Sequence, residues 1–251
     1  MKITEEGGFR YIETGGDGPV LLLLHGLFGA LSNFQDLIHY FEEKYNVVVP
    51  ILPIYELEIK ETGLDGLLAF TKDFVDHKNF ESVHVLGNSL GGHIAQLFVL
   101  DNPDIVASMI LTGSSGLFES GMGDGYPRRG DYEYIKNKTA ETFYDPAVAS
   151  KELVDEVFDT VNDREKAFRI VLTAKSAIKH NLGEELHAVK CPVLLIWGQQ
   201  DTITPPFVAE KFHELIPQSE LHFIDLCGHA PMMERPAEFN KILDGFLAKL
   251  R

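Results

Sequence analysis

Basic side chains are scarce in this chain. Lys and Arg number 22 against 38 Asp and Glu, a formal net charge of −16. So acidic a chain repels the phosphates of nucleic acid and of anionic lipid, and neither is expected as a partner. The acidic residues are spread along the chain rather than massed in a tail, as for solvated surface. Long apolar runs are missing too. None exceeds the length of Val20 to Leu24, whereas a membrane-spanning helix needs about 20 residues. The opening stretch, MKITEEGGFRYIE, has no apolar region of the kind that marks a signal peptide. Cysteine is limited to Cys191 and Cys227, which are in neither a metal nor a redox spacing. Cys191 precedes one predicted strand and Cys227 follows another. On parallel neighbours the thiols lie at opposite ends of the sheet, roughly 20 Å apart, beyond disulfide reach. Reduced thiols and a cytoplasmic home are the expectation.

What is present is ordinary for a soluble globule: 45% apolar and 24% charged residues. A chain of 251 residues accommodates one α/β domain with an insertion. Val20–Leu24, Asn46–Val49, Val83–Leu86, Val106–Thr112, Pro192–Gly198 and Leu221–Ile224 read as buried strands, and Phe9–Thr14 as an edge strand. Helical spacing runs over Asn33–Tyr45 with Ser32 as N-cap, over Gly63–Asp76, over the stretch ending near Asp101, from Pro205-Pro206 to Ile216, and over Glu234–Leu250. Glu119 to Gly130 is Gly-rich. From there to about His187 the pattern is helical and polar. Val148, Leu153, Val157 and Phe158 suit one helix there, and Phe168, Val171, Leu172 and Ile178 another. This alternation predicts a mostly parallel sheet with helices on both faces. Residues 1–114 and 188–251 form its core, and 115–187 an inserted helical cap.

The chemistry centres on Gly87-Asn88-Ser89-Leu90-Gly91-Gly92, set between a strand and a helix. A serine on so sharp a strand-to-helix turn is a nucleophile elbow, G-x-S-x-G. Glycines flank it where a side chain blocks the bend. A serine hydroxyl needs a base within hydrogen-bond reach, and the base needs an orienting acid. Asp201 follows the strand PVLLIWG, and His229 follows the last strand. The order Ser89, Asp201, His229 fits a base delivered from the final loop of the sheet. Asp225 is the competing acid, but it stands at the strand end itself. Oxyanion donors are expected from the backbone N–H groups of Leu90 and of Leu27, the latter in His25-Gly26-Leu27. His25 is read as a brace for that loop. His84 and His93 are read as structural.

These motifs, His25-Gly26, Gly87 to Gly92, Trp197-Gly198-Gln199-Gln200-Asp201 and Gly228-His229, resemble the α/β-hydrolase superfamily over nearly the whole chain. The elbow and Leu111-Thr112-Gly113 look like the carbon–carbon-bond hydrolases of ring-fission products. His25-Gly26-Leu27-Phe28-Gly29 looks more like small carboxylesterases. His229 lacks the Trp after it that often marks the carbon–carbon hydrolases. Ile51-Leu52-Pro53-Ile54-Tyr55 replaces the acidic-Arg-Gly-x-Gly turn of many relatives, so an unusual pocket edge is expected there.

The resemblance implies a serine hydrolase that cleaves a small ester-like substrate through an acyl-enzyme, with no metal or cofactor. Carbon–carbon cleavage, perhydrolysis and thioester hydrolysis are alternatives on the same triad, and a ligand sensor is the non-enzymatic one. Phe28, Phe118, Trp197, Met232 and Met233 are candidate pocket residues, with core packing as the competing role. Arg128 and Arg129 are candidate carboxylate ligands or, alternatively, a solvated pair. A small-molecule partner and a monomer or homodimer complete the expectation.

Overall fold

A computed structural model describes residues 2–28, 32–118 and 128–250. In chain order its strands and α-helices are β1 Thr4–Glu6, β2 Phe9–Glu13, β3 Val20–Leu24, α1 Gln35–Phe41, β4 Asn46–Pro50, α2 Leu64–His77, β5 Val83–Asn88, α3 Leu90–Asp101 and β6 Val106–Thr112. Then come α4 Tyr132–Ala140, α5 Lys151–Asn162, α6 Arg164–Lys179, β7 Val193–Gly198, α7 Pro206–Leu215, β8 Ser219–Ile224, α8 Pro231–Glu234 and α9 Pro236–Ala248. The sheet order is β1-β2-β4-β3-β5-β6-β7-β8. β3 to β8 run parallel; β1 and β2 join antiparallel. No described helix is long and apolar enough to cross a membrane.

The apolar run of β3 is explained by its two covered faces. Leu22 and Leu24 join a core with α2, α3 and α7, through Leu67, Phe74, Ile94, Phe98 and Phe212. Leu21 and Leu23 join the opposite core with α1 and α9, through Leu37, Phe41, Phe239 and Leu243. Residues two apart face one side of a strand, so a strand buried on both sides cannot alternate with polar residues.

Besides adding β1, the structure departs from the sequence expectations in five places. β2 is not the edge, because it pairs with β4 on one side and with β1 on the other. α1 is shorter than Asn33–Tyr45 and is preceded by a 3-10 turn, Ser32–Phe34; the Ser32 side chain lies outside the described set. Val148 sits in a separate 3-10 turn, Pro146–Val148, before α5. The closing helix is split between α8 and α9. Pro236 has no N–H and restricts Arg235 to a non-helical φ −133°, ψ 54°.

The fifth is α6, which forms but turns its other side inward. Thr173, Ala174 and Ala177 are buried, while Phe168, Val171 and Ile178 are about half exposed. Small side chains let α6 lie close against the start of α2. The Leu64 N–H donates to Ser176 Oγ at 3.0 Å, and a Cβ on Gly63 would sit 2.8 Å from that oxygen. Between β6 and β7 the described residues form helices and turns only.

Candidate active site

β5 runs into α3 through Ser89 alone, at φ 55° and ψ −119°. A non-glycine residue at this dihedral is strained and persists only where its surroundings hold it. A Cβ on Gly91 would lie 2.0 Å from the Leu24 carbonyl oxygen, and one on Gly87 would lie 2.4 Å from that of Gly91. Both positions therefore admit only glycine. The Ser89 N–H donates to Thr112 O at 3.2 Å, and Ser89 O accepts from the N–H groups of Gly92, His93 and Ser115. Asn88 Nδ2 donates to Thr112 O (3.0 Å) and to His229 O (3.3 Å). The elbow is thereby tied to the end of β6 and to the loop after β8.

That loop brings His229 to the elbow. Its imidazole packs on Gly113, at φ 51°, where an added Cβ would lie 2.9 Å from Nδ1. The His229 N–H donates to Thr142 O at 2.9 Å. Glu234 clamps the same loop: Oε1 accepts from the Gly228 N–H (2.7 Å), and Oε2 from those of Tyr144 (2.7 Å) and Asp145 (3.3 Å).

Asp201 Oδ2 stands 2.9 Å from His229 Nδ1. It also accepts from Thr204 Oγ1 at 2.8 Å, while Oδ1 accepts from the N–H groups of Ile203 (2.8 Å) and Thr204 (2.9 Å). Burial works to raise this carboxyl's pKa, but the His229 imidazole and the Thr204 donors outweigh it and hold it below the usual range. An ionised Asp201 fixes the His229 proton on Nδ1 and leaves Nε2 with its lone pair. Asp225 is exposed and accepts from Gln200 Nε2 instead (2.9 Å).

The first loop is braced as expected. The Leu52 N–H donates to His25 Nε2 (2.9 Å), which puts the ring proton on Nδ1, 2.7 Å from Gly26 O. Burial pushes the His25 pKa down to about 4. In a trans peptide C=O and N–H point opposite ways, so the Leu27 N–H points away from His25. A Cβ on Gly26 would meet Ser89 Cβ at 3.3 Å, so this loop lies directly against the elbow. Leu90, the other expected donor, is buried at the first position of α3. His84 and His93 are structural in the sense expected. His84 Nδ1 pairs with Ser108 Oγ at 2.8 Å, and His93 Nε2 donates to His180 O at 2.8 Å.

Two pocket candidates, Trp197 and Met232, are corrected. Trp197 is fully buried against Phe212, and its Nε1–H donates to Thr204 O at 2.7 Å. It supports the Asp201 loop from behind. Met232 is 1% exposed and belongs to the core over α9. Phe118 stacks edge-on with Phe207 and lines an open groove of about 400 Å³ on α7, which Ser89, Asp201 and His229 do not line. Met233 is half-buried against the α9 core. Phe28 packs on Ile135, Val157 and Val161 of α4 and α5, joining the first loop to the inserted helices. Arg128 and Arg129 are exposed at the turn before α4, with the Arg128 guanidinium 6.0 Å from the Tyr134 ring. The Gly-rich residues 119–127 lie outside the described set.

Sequence reasoning missed Thr204, Glu234, Asn88 and Tyr55. Thr204 had a local signal: Asp201-Thr202-Ile203-Thr204 after a strand is the spacing of an aspartate that caps its own loop. Tyr55 OH donates to Leu27 O at 2.5 Å, a contact that no local pattern announces.

The sequence profile of the alpha/beta hydrolase fold matches residues 19–147 and 158–236. A solved structure of MGS-MChE2, an alpha/beta hydrolase enzyme from a sediment metagenome of the lagoon of Mar Chica, Morocco, is 41% identical, with 99% of each chain covered and a TM-score of 0.82. A 2-hydroxy-6-oxononadienedioate/2-hydroxy-6-oxononatrienedioate hydrolase of Paraburkholderia phymatum is 27% identical over 97% of this chain and 93% of its own. A monoacylglycerol lipase of Bos taurus, ABHD6, is 24% identical over 94% and 77%. The parallel sheet, the serine turn between β5 and α3 and the extent of these matches make the chain an enzyme of the α/β-hydrolase family.

Proposed function

We propose that the chain is a serine hydrolase that cleaves a small ester-like substrate with Ser89, His229 and Asp201. The observation that carries this reading is the 2.9 Å contact of His229 Nδ1 with a buried, fully hydrogen-bonded Asp201, in a loop tied to the Ser89 elbow. His229 Nε2 takes the Ser89 proton as Oγ attacks the carbonyl. The N–H groups of Leu27 and Leu90 receive the oxyanion, each donor contributing about 3 to 4 kcal/mol. His229 then protonates the leaving group, and water, activated by the same nitrogen, releases the acyl group. Asp201 stabilises the imidazolium and does not itself take up a proton. No metal or cofactor enters these steps. The helices α4 to α6, within 115–187, act as a cap that governs access. Phe28, packed between the first loop and that cap, is one pocket candidate, and Phe118, Arg128 and Arg129 are the others. The free thiols Cys191 and Cys227 suit a reducing, cytoplasmic compartment.

The test is a fluorophosphonate label with mass mapping, followed by a screen of p-nitrophenyl esters by chain length. Labelling confined to Ser89, with turnover abolished in Ser89→Ala, supports the reading. Label elsewhere, or equal turnover in the variant, sinks it. Carbon–carbon cleavage is the second reading, favoured by the Paraburkholderia phymatum relative. Under it, vinylogous 1,5-diketone ring-fission acids turn over faster than any ester in the screen.

A further inference from the structure

The loop that departs from the family pattern, residues 51–57, lies between the inserted helices and the first loop. Leu52 and Ile54 anchor it in the core at 3% and 1% exposure. On one side it holds two consecutive peptides. The Leu52 N–H donates to His25 Nε2, and His25 Nδ1–H donates to Gly26 O. Tyr55 OH donates to the next carbonyl, Leu27 O. The Leu27 N–H therefore sits between two tethered carbonyls, and neither peptide can rotate without losing a hydrogen bond. On its other side the loop meets α6. Arg169 Nε donates to Leu57 O at 3.2 Å, and Lys166 Nζ lies 5.6 Å from the centre of the Tyr55 ring, within cation–π range.

We propose that Tyr55 is a positioning residue for the oxyanion donor Leu27, and that it transmits the seating of α6 to that donor. This rests on the reading of Leu27 N–H as a donor in a Ser89 hydrolase. Tyr55 touches no reacting atom; it holds the Leu27–Phe28 peptide so that the preceding N–H keeps its aim. A donor held in place matters more to the tetrahedral oxyanion than to the ground-state carbonyl. Loss of the hydroxyl therefore lowers kcat and spares KM. Lys166 acts one contact further out, with a smaller effect in the same direction.

The experiment uses the full chain with p-nitrophenyl acetate and, as tetrahedral mimic, phenylboronic acid. Tyr55→Phe is expected to lower kcat about tenfold with KM unchanged. Boronate affinity should fall by the same factor, while the melting temperature stays within about 2 °C. Lys166→Met is expected to lower kcat about twofold to threefold with KM unchanged, a cation–π contact being a weak link. A merely structural Tyr55 would lower the melting temperature and leave boronate affinity in step with KM. The proposal is overturned if Tyr55→Phe keeps wild-type kcat and boronate affinity, or if KM rises as kcat falls. Should Tyr55→Phe not fold, Lys166→Met decides: an unchanged kcat overturns the proposal. If the wild-type chain neither turns over esters nor takes the label at Ser89, the hydrolase reading itself fails and Tyr55 loses its role with it. A wild type that does both, beside an unaltered Tyr55→Phe, removes this proposal alone.

Discussion

Thr204 and His229 share one oxygen. Asp201 Oδ2 lies 2.8 Å from Thr204 Oγ1 and 2.9 Å from His229 Nδ1, and the two donors are 3.3 Å apart. Thr204 thus fixes which way the carboxylate faces before the imidazole meets it. Thr204→Val keeps the shape and removes the hydroxyl. Its expected cost is about 1.5 to 3 kcal/mol of stability for a hydrogen bond to a charged group, with kcat reduced and KM little changed. Urea unfolding beside steady-state kinetics measures both; unchanged values in each would mean that the backbone N–H groups alone hold Asp201.

Asp201→Asn removes the acid while keeping its outline. The expected loss in kcat is about 10⁴-fold, because an amide no longer enforces the Nδ1–H tautomer. Ester turnover at pH 7 measures it, with Asp225→Asn as the control that should leave the rate intact. A large loss in the control would reassign the acid.

Acid should destabilise the fold in two overlapping windows. His25 and His93 are buried neutral, with pKa values depressed by burial to about 4. The unfolded chain binds their protons first, so stability is lost as pH falls from about 6.5 toward 4, by at most on the order of 3 kcal/mol per ring. Asp201 is depressed too. Its contribution is whole above the usual carboxylate range and disappears as pH drops through the lowered value. Urea midpoints at pH 7, 5.5 and 4.5 should fall steadily, and His93→Gln should flatten the upper part of the slope. A midpoint independent of pH between 7 and 4.5 would contradict the burial of both rings.

Glu234 receives three backbone N–H groups from two segments, Gly228 beside His229 and Tyr144-Asp145 after α4. Glu234→Ala leaves all three without their acceptor, at roughly 1 to 3 kcal/mol for each one that water cannot reach. A lower melting temperature is expected, together with faster amide hydrogen exchange at Gly228 and His229. Exchange unchanged in that loop would mean that the Thr142 carbonyl suffices to hold it.

The inward side of α6 is tight and its outward side is open. Ala177→Leu should cost about 1 to 3 kcal/mol through overpacking. Phe168→Ser should be nearly neutral, within about 0.5 kcal/mol, because Phe168 is already 51% exposed. Thermal melts of the two variants should therefore rank opposite to hydrophobicity. A Phe168→Ser variant that loses several degrees would put that ring back in the core.

This same helix marks where the sequence stops being legible. Strands buried on both faces, such as β3 and β7, are plain because unbroken apolar runs have few other homes. The meeting of Asp201 and His229 beside the Ser89 turn is legible because strand ends and chain order constrain these positions. The face of α6 is misread because Thr173, Ala174 and Ala177 carry less hydrophobicity than Phe168 and Ile178, yet close approach to Gly63 selects the small side. β1 is missed because Thr4–Glu6 is short, polar and mostly exposed, with no apolar pattern to mark it. Trp197 is placed in the pocket because an indole at a strand's carboxyl end suits either site or core. Its complete burial and its bond to Thr204 O decide for the core.

Gly91 lies so close to the Leu24 carbonyl that not one carbon atom can be added between them. Main chain therefore meets main chain where α3, the helix that follows the Ser89 turn, passes the end of β3. The spacing between α3 and the end of β3 is a property of the scaffold, set by backbone contact rather than by side chains. Substitutions among the surrounding side chains can therefore accumulate while the Ser89 turn keeps its place on the sheet.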